Sequence, residues 1–196
     1  MEFDENTILN AYLSGAFPMS DSRHSKEIRW HIPEHRAIFD LRNIRIPRSV
    51  RQLLNKKIYR FSTDTIFEDV IRGCADSRQD TWINDEIIER YTKLHKAGYA
   101  HSVEVWQGEY LMGGLYGVQI GGAFFGESMF GIASNVTKLA FYYLCGILIK
   151  NRFMLLDSQY INDFTRQLGA IEIPHEEYIK ILEEAVNLNC EFEDKY

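Results

Sequence analysis

Leu111-Met112-Gly113-Gly114-Leu115-Tyr116-Gly117-Val118-Gln119-Ile120-Gly121-Gly122-Ala123-Phe124-Phe125-Gly126-Glu127-Ser128-Met129-Phe130 decides how the chain folds. Two apolar runs, 111–120 and 123–130, flank Gly121-Gly122, and a glycine pair in that setting reads as the turn of a β-hairpin. Just upstream, Gln107-Gly108-Glu109 separates the first run from another at 102–106, so three consecutive strands form a meander. Downstream, a helix is predicted over 136–150, with the most apolar run of the chain, 139–149, between Lys138 and Lys150. At about 1.5 Å per residue that run spans roughly 17 Å, short of the ~30 Å hydrocarbon layer of a bilayer. It reads as a buried helix and not as a membrane span. A strand at 153–157 follows, then a helix at 161–168 stopped by Gly169, and a last helix at 176–186.

Upstream of the meander, Ile66, Phe67, Val70, Ile71 and Cys74 form one apolar helical face, and Ile87, Ile88, Tyr91, Leu94 and His95 form another, closed by Gly98. A strand at 59–63 precedes them. Further back the pattern is looser. A first helix fits 8–13, with Asn6 or Thr7 as cap and Gly15 as stop; a short extended stretch lies around 28–32; Ser49 can cap a small helix carrying Val50, Leu53 and Leu54. This order indicates an α+β fold, a mixed sheet wrapped by helices. Regular patterning starts near Tyr59, which divides the chain into a small basic N-terminal domain, 1–58, and a larger domain, 59–196.

The chain has 196 residues, 45% of them hydrophobic and 26% charged, a composition that excludes wholesale disorder. Cys74, Cys145 and Cys190 are odd in number and form no metal-binding spacing, so a reducing, cytoplasmic setting is expected. The acidic start Met1-Glu2-Phe3-Asp4-Glu5 is unlike a secretory leader. The net charge of −6 conceals an uneven distribution. Residues 23–60 hold eleven Lys/Arg against Glu27, Glu34 and Asp40, a balance of +8, whereas 172–196 hold eight acids against Lys180 and Lys195, a balance of −6. The basic segment is either a solvated face or a surface that meets a polyanion.

Two places invite chemistry. Six glycines between 111 and 130 suggest bulges or a backbone that another segment approaches closely. Strand alternation there puts Glu127 and Met129 on one face, with Ser128 and Phe130 on the other. A carboxylate in so apolar a stretch requires a partner, either a structural salt bridge or a cationic ligand. The second place is Leu155-Leu156-Asp157-Ser158-Gln159-Tyr160, where the two-residue spacing aims Asp157 and Gln159 at the same face. An acid and an amide so placed can hold and orient an amine; the alternative is a helix-capping Asp beside a polar loop. Neither the serines near His24 nor the six histidines form a nucleophile or metal motif, and His101 reads as a satisfied strand residue.

Taken together, these segments resemble the leucyl/phenylalanyl-tRNA–protein transferase family. The resemblance is carried by Ala11-Tyr12, Gly15-Ala16-Phe17-Pro18, Trp30, Pro33, Arg36, Gly73-Cys74-Ala75, Arg78, Thr81-Trp82-Ile83, Tyr91, Leu94-His95 and Ala100-His101-Ser102-Val103-Glu104-Val105-Trp106. It continues through Gly113-Gly114-Leu115-Tyr116-Gly117-Val118, Gly126-Glu127-Ser128-Met129-Phe130, Asp157, Gln159, Asn162 and Leu168-Gly169-Ala170. Met19, where a tryptophan is common, and His31, where a second aromatic is common, depart from the family pattern.

The resemblance implies an acyltransferase (GNAT)-like domain behind a small N-terminal domain. It implies transfer of Leu, Phe or a similar hydrophobic amino acid from aminoacyl-tRNA to the N-terminal α-amine of proteins beginning with Arg or Lys, which marks them for degradation. It places Asp157 and Gln159 at the catalytic centre, where the amide helps the amine lose its proton and the acid polarises the amide. Glu127 falls in the acceptor-peptide site, with Ser128, Met129 and Asn162 alongside as substrate-binding residues, and Trp82 near the aminoacyl-adenosine end. Arg45, Arg48 and Arg51, in the basic segment, are the expected contacts to tRNA phosphates. An aminoacyl ester is already activated, so neither a metal nor another cofactor is expected, and the protein is expected to act as a monomer. Two competing readings are an acetyl-CoA-dependent N-acetyltransferase and a non-catalytic binder of charged tRNA or N-terminal peptides.

Overall fold

The computed structural model describes residues 3–194; Met1 and Glu2 of the acidic start, and Lys195 and Tyr196 at the other end, lie outside the described residues. Helix α1 (Glu5–Leu13) is capped by Asp4, whose carboxylate accepts the Thr7 N–H at 2.7 Å, a few residues earlier than the expected Asn6 or Thr7 cap. Strands β1 (Phe17–Ser20) and β2 (Ile28–His31) pair as an antiparallel ribbon. Strand β3 (His35–Phe39), a 3-10 turn (Leu41–Asn43) and α2 (Arg48–Asn55) follow. Next come β4 (Arg60–Thr63), α3 (Phe67–Asp76), α4 (Asp85–Lys96), and the meander β5 (Ala100–Gln107), β6 (Tyr110–Ile120) and β7 (Ala123–Gly131). The chain closes with α5 (Val136–Lys150), β8 (Leu155–Asp157), α6 (Asp163–Leu168), β9 (Ile171–Pro174) and α7 (His175–Val186).

Seven strands form one sheet in the order β4-β5-β6-β7-β8-β3-β9, antiparallel except for the parallel pair β7–β8. The α+β expectation therefore holds. The expected separation of 1–58 from 59–196 requires correction: β3, from the first segment, lies between β8 and β9. Phe17, Tyr12 and Ile8 also share one core cluster with α3, α4 and α7. The early segment is stitched into the sheet because His35-Arg36-Ala37-Ile38-Phe39 supplies a strand that is buried from Arg36 onward.

Each sheet face has its own core. Helices α1, α3, α4 and α7 cover one face, and the apolar α5 covers the other together with α2. The glycines of the meander serve close approach, as expected. A Cβ on Gly117 would collide with the Phe124 ring and the Phe125 carbonyl, and Gly121, at φ 58°, lies against the backbone of Val186.

Candidate active site

Strands β7 and β8 run side by side only from Ala123↔Leu155 to Phe125↔Asp157. Beyond that point they part. Gly126–129 of one and 158–159 of the other line the gap, closed below by Thr137, Phe141 and Leu144 of α5 and by Phe164 and Thr165 of α6. The gap is a cavity of about 270 Å³ that also takes in Phe39, Arg78, Leu115 and Leu156.

A bulge sets what β7 presents to it. Tyr116 pairs with Ser128 and Gly117 with Gly126, so Glu127 is the extra residue. The expected alternation is corrected accordingly. Glu127 stays on the face of Phe130 and of Ser128, which meets Cys74 of α3, while Met129 turns to the α5 face. Without the bulge, Glu127 and Met129 would share a side.

Within the protein, Glu127 is held by neutral hydrogen-bond donors and not by a salt bridge. Tyr12 donates to its Oε1 at 2.7 Å, Gln159 Nε2 donates to the same oxygen at 2.9 Å, and Tyr91 donates to Oε2 at 3.4 Å. The Tyr12 and Tyr91 hydroxyls are themselves 2.5 Å apart. Dense packing around the recess removes water from the carboxylate and pushes its pKa up to about 7, with nearby Asp157 adding to the rise and the Tyr12 bond and the Arg36 charge opposing it. Burial and the Glu127 charge raise both tyrosines well above their usual range, so they act as donors.

Asp157 and Gln159 do meet, but differently from the expectation. Strand β8 ends at Asp157, and Gln159 turns back at φ 54°, an uncommon conformation for a residue other than glycine. Asp157 Oδ1 accepts the peptide N–H of Gln159 at 2.8 Å, whereas the side-chain amide of Gln159 goes to Glu127. The acid therefore supports the amide's backbone and does not polarise the amide itself. Nor does Asp157 cap a helix; that role falls to Asn162, which caps α6 in a reciprocal pair with Thr165, each bond 2.9 Å.

Asp157, Gln159, Glu127, Ser128, Met129 and Asn162 all line the one cavity. Trp82 does not; it lies half-buried before α4, packed against the core. Arg45, Arg48 and Arg51 are exposed and away from the cavity, the latter two one turn apart on α2, which leans on α5. Sequence reasoning missed the role of Arg36, fully buried against Asp157, and of Tyr178, whose hydroxyl donates to Asp157 Oδ2 at 2.7 Å. An arginine directly before the apolar run Ala37-Ile38-Phe39 was the available signal.

The profile of the family described as leucyl/phenylalanyl-tRNA protein transferase matches residues 38–183. Leucyl/phenylalanyl-tRNA–protein transferase of Chlorobaculum tepidum is 47% identical over 94% of this chain and 96% of its own. That of Chlorobaculum parvum is 50% identical over 91% and 93%, and that of Afipia carboxidovorans 42% over 97% and 86%. Among solved structures, L-PGS from Bacillus licheniformis aligns with 81% of this chain and 51% of that one at a TM-score of 0.46 and 13% identity, too loosely to define the fold further. By the family match and by identity over nearly its whole length, the chain belongs to the leucyl/phenylalanyl-tRNA–protein transferase family, a family of aminoacyltransferases.

Proposed function

We propose that the protein transfers Leu, Phe or a similar hydrophobic amino acid from charged tRNA to the N-terminal α-amine of proteins beginning with Arg or Lys. The modified proteins are thereby marked for degradation in the cytoplasm, and the enzyme works as a monomer on an acyltransferase (GNAT)-like frame. The observation that carries this reading is a single cavity with two kinds of wall. Phe39, Leu115, Phe141, Leu144, Leu156 and Phe164 offer an apolar lining, and Glu127 and Gln159 offer a polar edge. At about 270 Å³, just under the ~300–1,000 Å³ of ligand pockets, it suits the side chain and ester of one aminoacyl end.

The chemistry asks little of the protein. The ester is activated, so alignment of an amine and help with its proton suffice. Gln159 holds its amide nitrogen toward Glu127, which turns the carbonyl oxygen, on the other arm, toward an N–H donor such as the incoming amine. Glu127 faces the cationic end of the acceptor. Trp82 takes part in holding the adenosine end of the tRNA, and Arg45, Arg48 and Arg51 its phosphates.

Glu127→Gln tests the reading, because it keeps shape and removes charge. Peptides beginning with Arg or Lys should lose most of their advantage over neutral ones, by about 10–100-fold in kcat/KM, the worth of a charged hydrogen bond. Unchanged selectivity in a folded variant would return Glu127 to a purely structural role.

A further inference from the structure

The ion pair beneath the cavity supports an inference that rests on the transferase reading and deepens it. Arg36 and Asp157 are both fully buried. Arg36 Nε lies 2.9 Å from Asp157 Oδ1 and 3.1 Å from Oδ2, and Nη2 lies 2.7 Å from Oδ2. The remaining nitrogen, Nη1, donates to the carbonyl of Gly15 at 2.8 Å. The rings of Phe17 and Tyr178 cover the guanidinium, with Cζ 4.8 and 4.6 Å from their centroids. Both carboxylate oxygens are thus engaged by a matched charge, by the Tyr178 hydroxyl and by the Gln159 peptide N–H. The other backbone polar group of Gln159 is also held: its carbonyl accepts the Ala37 N–H at 2.9 Å. Arg36 and Ala37 are adjacent on β3, so one strand supplies both the counter-charge and this second anchor.

We infer that Asp157 and Arg36 act together as positioning residues: they hold the left-handed turn at Gln159 that aims its amide into the cavity, and the charge of Asp157 takes no part in moving the proton. The charge of Asp157 is balanced locally by Arg36. Burial works against the Arg36 cation, but the pairing more than offsets that, so Arg36 stays charged throughout the working range of pH.

Removing one partner of a buried pair strands the other charge, whereas neutralising both is tolerated. Asp157→Asn keeps an oxygen for the Gln159 N–H but strands Arg36; Arg36→Gln strands Asp157. Each single variant should lose on the order of 10²-fold in kcat per folded molecule, as misplacing a reacting group does, with KM for the acceptor peptide little changed. The double variant, Arg36→Gln with Asp157→Asn, should regain about tenfold or more over Asp157→Asn alone. A double variant no better than Asp157→Asn would overturn the inference, because the carboxylate charge itself would then be needed. Unchanged kcat per folded molecule in Arg36→Gln would overturn it as well. Should the single variants fail to fold, Tyr178→Phe removes one donor without stranding a charge. It should lower kcat while leaving the pH profile of transfer in place, and a shifted profile would contradict the inference. A readout independent of transfer is the glutamine ¹⁵N spectrum, with Gln159 assigned by its loss in Gln159→Ala. Its peptide N–H signal should move or broaden in both single variants and return toward the wild-type position in the double variant; a signal unmoved in the single variants would overturn the inference. That spectrum decides the role of the pair even if the wild type transfers nothing, an outcome that would refute the transferase reading alone.

Discussion

Glu127 concentrates the chemistry of the site in one side chain. Its carboxyl is held near pKa 7, about where an N-terminal amine, at ~7.7–8.0, is still mostly protonated. Below pH 7 the site is neutral, and above it the site is anionic and attracts an ammonium. KM for an Arg-initiated peptide should therefore fall as pH rises from 6 to 7.5, and Glu127→Gln should flatten that dependence; steady-state kinetics on both proteins checks it. The same shift acts on stability. Between about pH 4.5 and 7 the native state keeps a proton that the unfolded chain has lost, so stability falls as pH rises through this window. In the proposed function Gln159 is the second decisive residue. Gln159→Ala should lower turnover by about 10²–10⁴-fold, the usual worth of proton-transfer assistance, with affinity for charged tRNA unchanged in a binding assay. That Glu127 needs partners was legible from a carboxylate in an apolar run. Its orientation was not, because the bulge opposite Tyr116 and Gly117 breaks the alternation on which facing was judged. The role of Arg36 escaped notice for a related reason: a lone arginine reads as surface until its counter-charge, 121 residues away in sequence, is known.

Elements with long, one-sided patterns were legible. Helix α5 occupies the predicted span 136–150, and the meander falls in the predicted runs, because apolar periodicity over many residues leaves few alternatives. Of the short strands, β2, β4 and β8 were predicted, but β1 and β3 were not. Strands β1 and β3 have four and five residues, and their pairing is decided by partners distant in sequence rather than by local pattern. The consequence was a domain boundary drawn where the sheet has none. Helix α2 carries the element-scale prediction. Arg48 and Arg51 are exposed on it and Arg45 just precedes it, so they can meet phosphates without reading sequence. Replacing Arg45 and Arg48 by Gln should weaken binding of different charged tRNAs to a similar degree. The slope of log affinity against log salt should become shallower by roughly 0.7–0.9 per lost contact, while transfer from a short aminoacyl-adenosine donor hardly changes. Wild-type salt dependence in that variant would leave α2 a solvated face.

At the scale of the whole molecule, one sheet joins what the chain keeps apart. The parting of the parallel pair β7–β8 opens the cavity, and β3 brings Arg36 from the early segment to Asp157, which lines it. Among the described residues no helix is long and apolar enough to cross a membrane, and the charge of the chain is segregated into a basic early segment and an acidic end. Under the proposed function, the protein holds an anionic polymer against its basic segment and one small activated group in this cavity. The measurement that tests this most directly is transfer of labelled amino acids from a panel of charged tRNAs to peptides that differ only in their first residue, Arg, Lys, Asp or Glu. Leu and Phe should pass to the Arg and Lys peptides well ahead of polar amino acids and of acidic acceptors. Transfer favouring Asp or Glu peptides, or tRNA binding with no amino acid reaching any peptide, would contradict the proposed function.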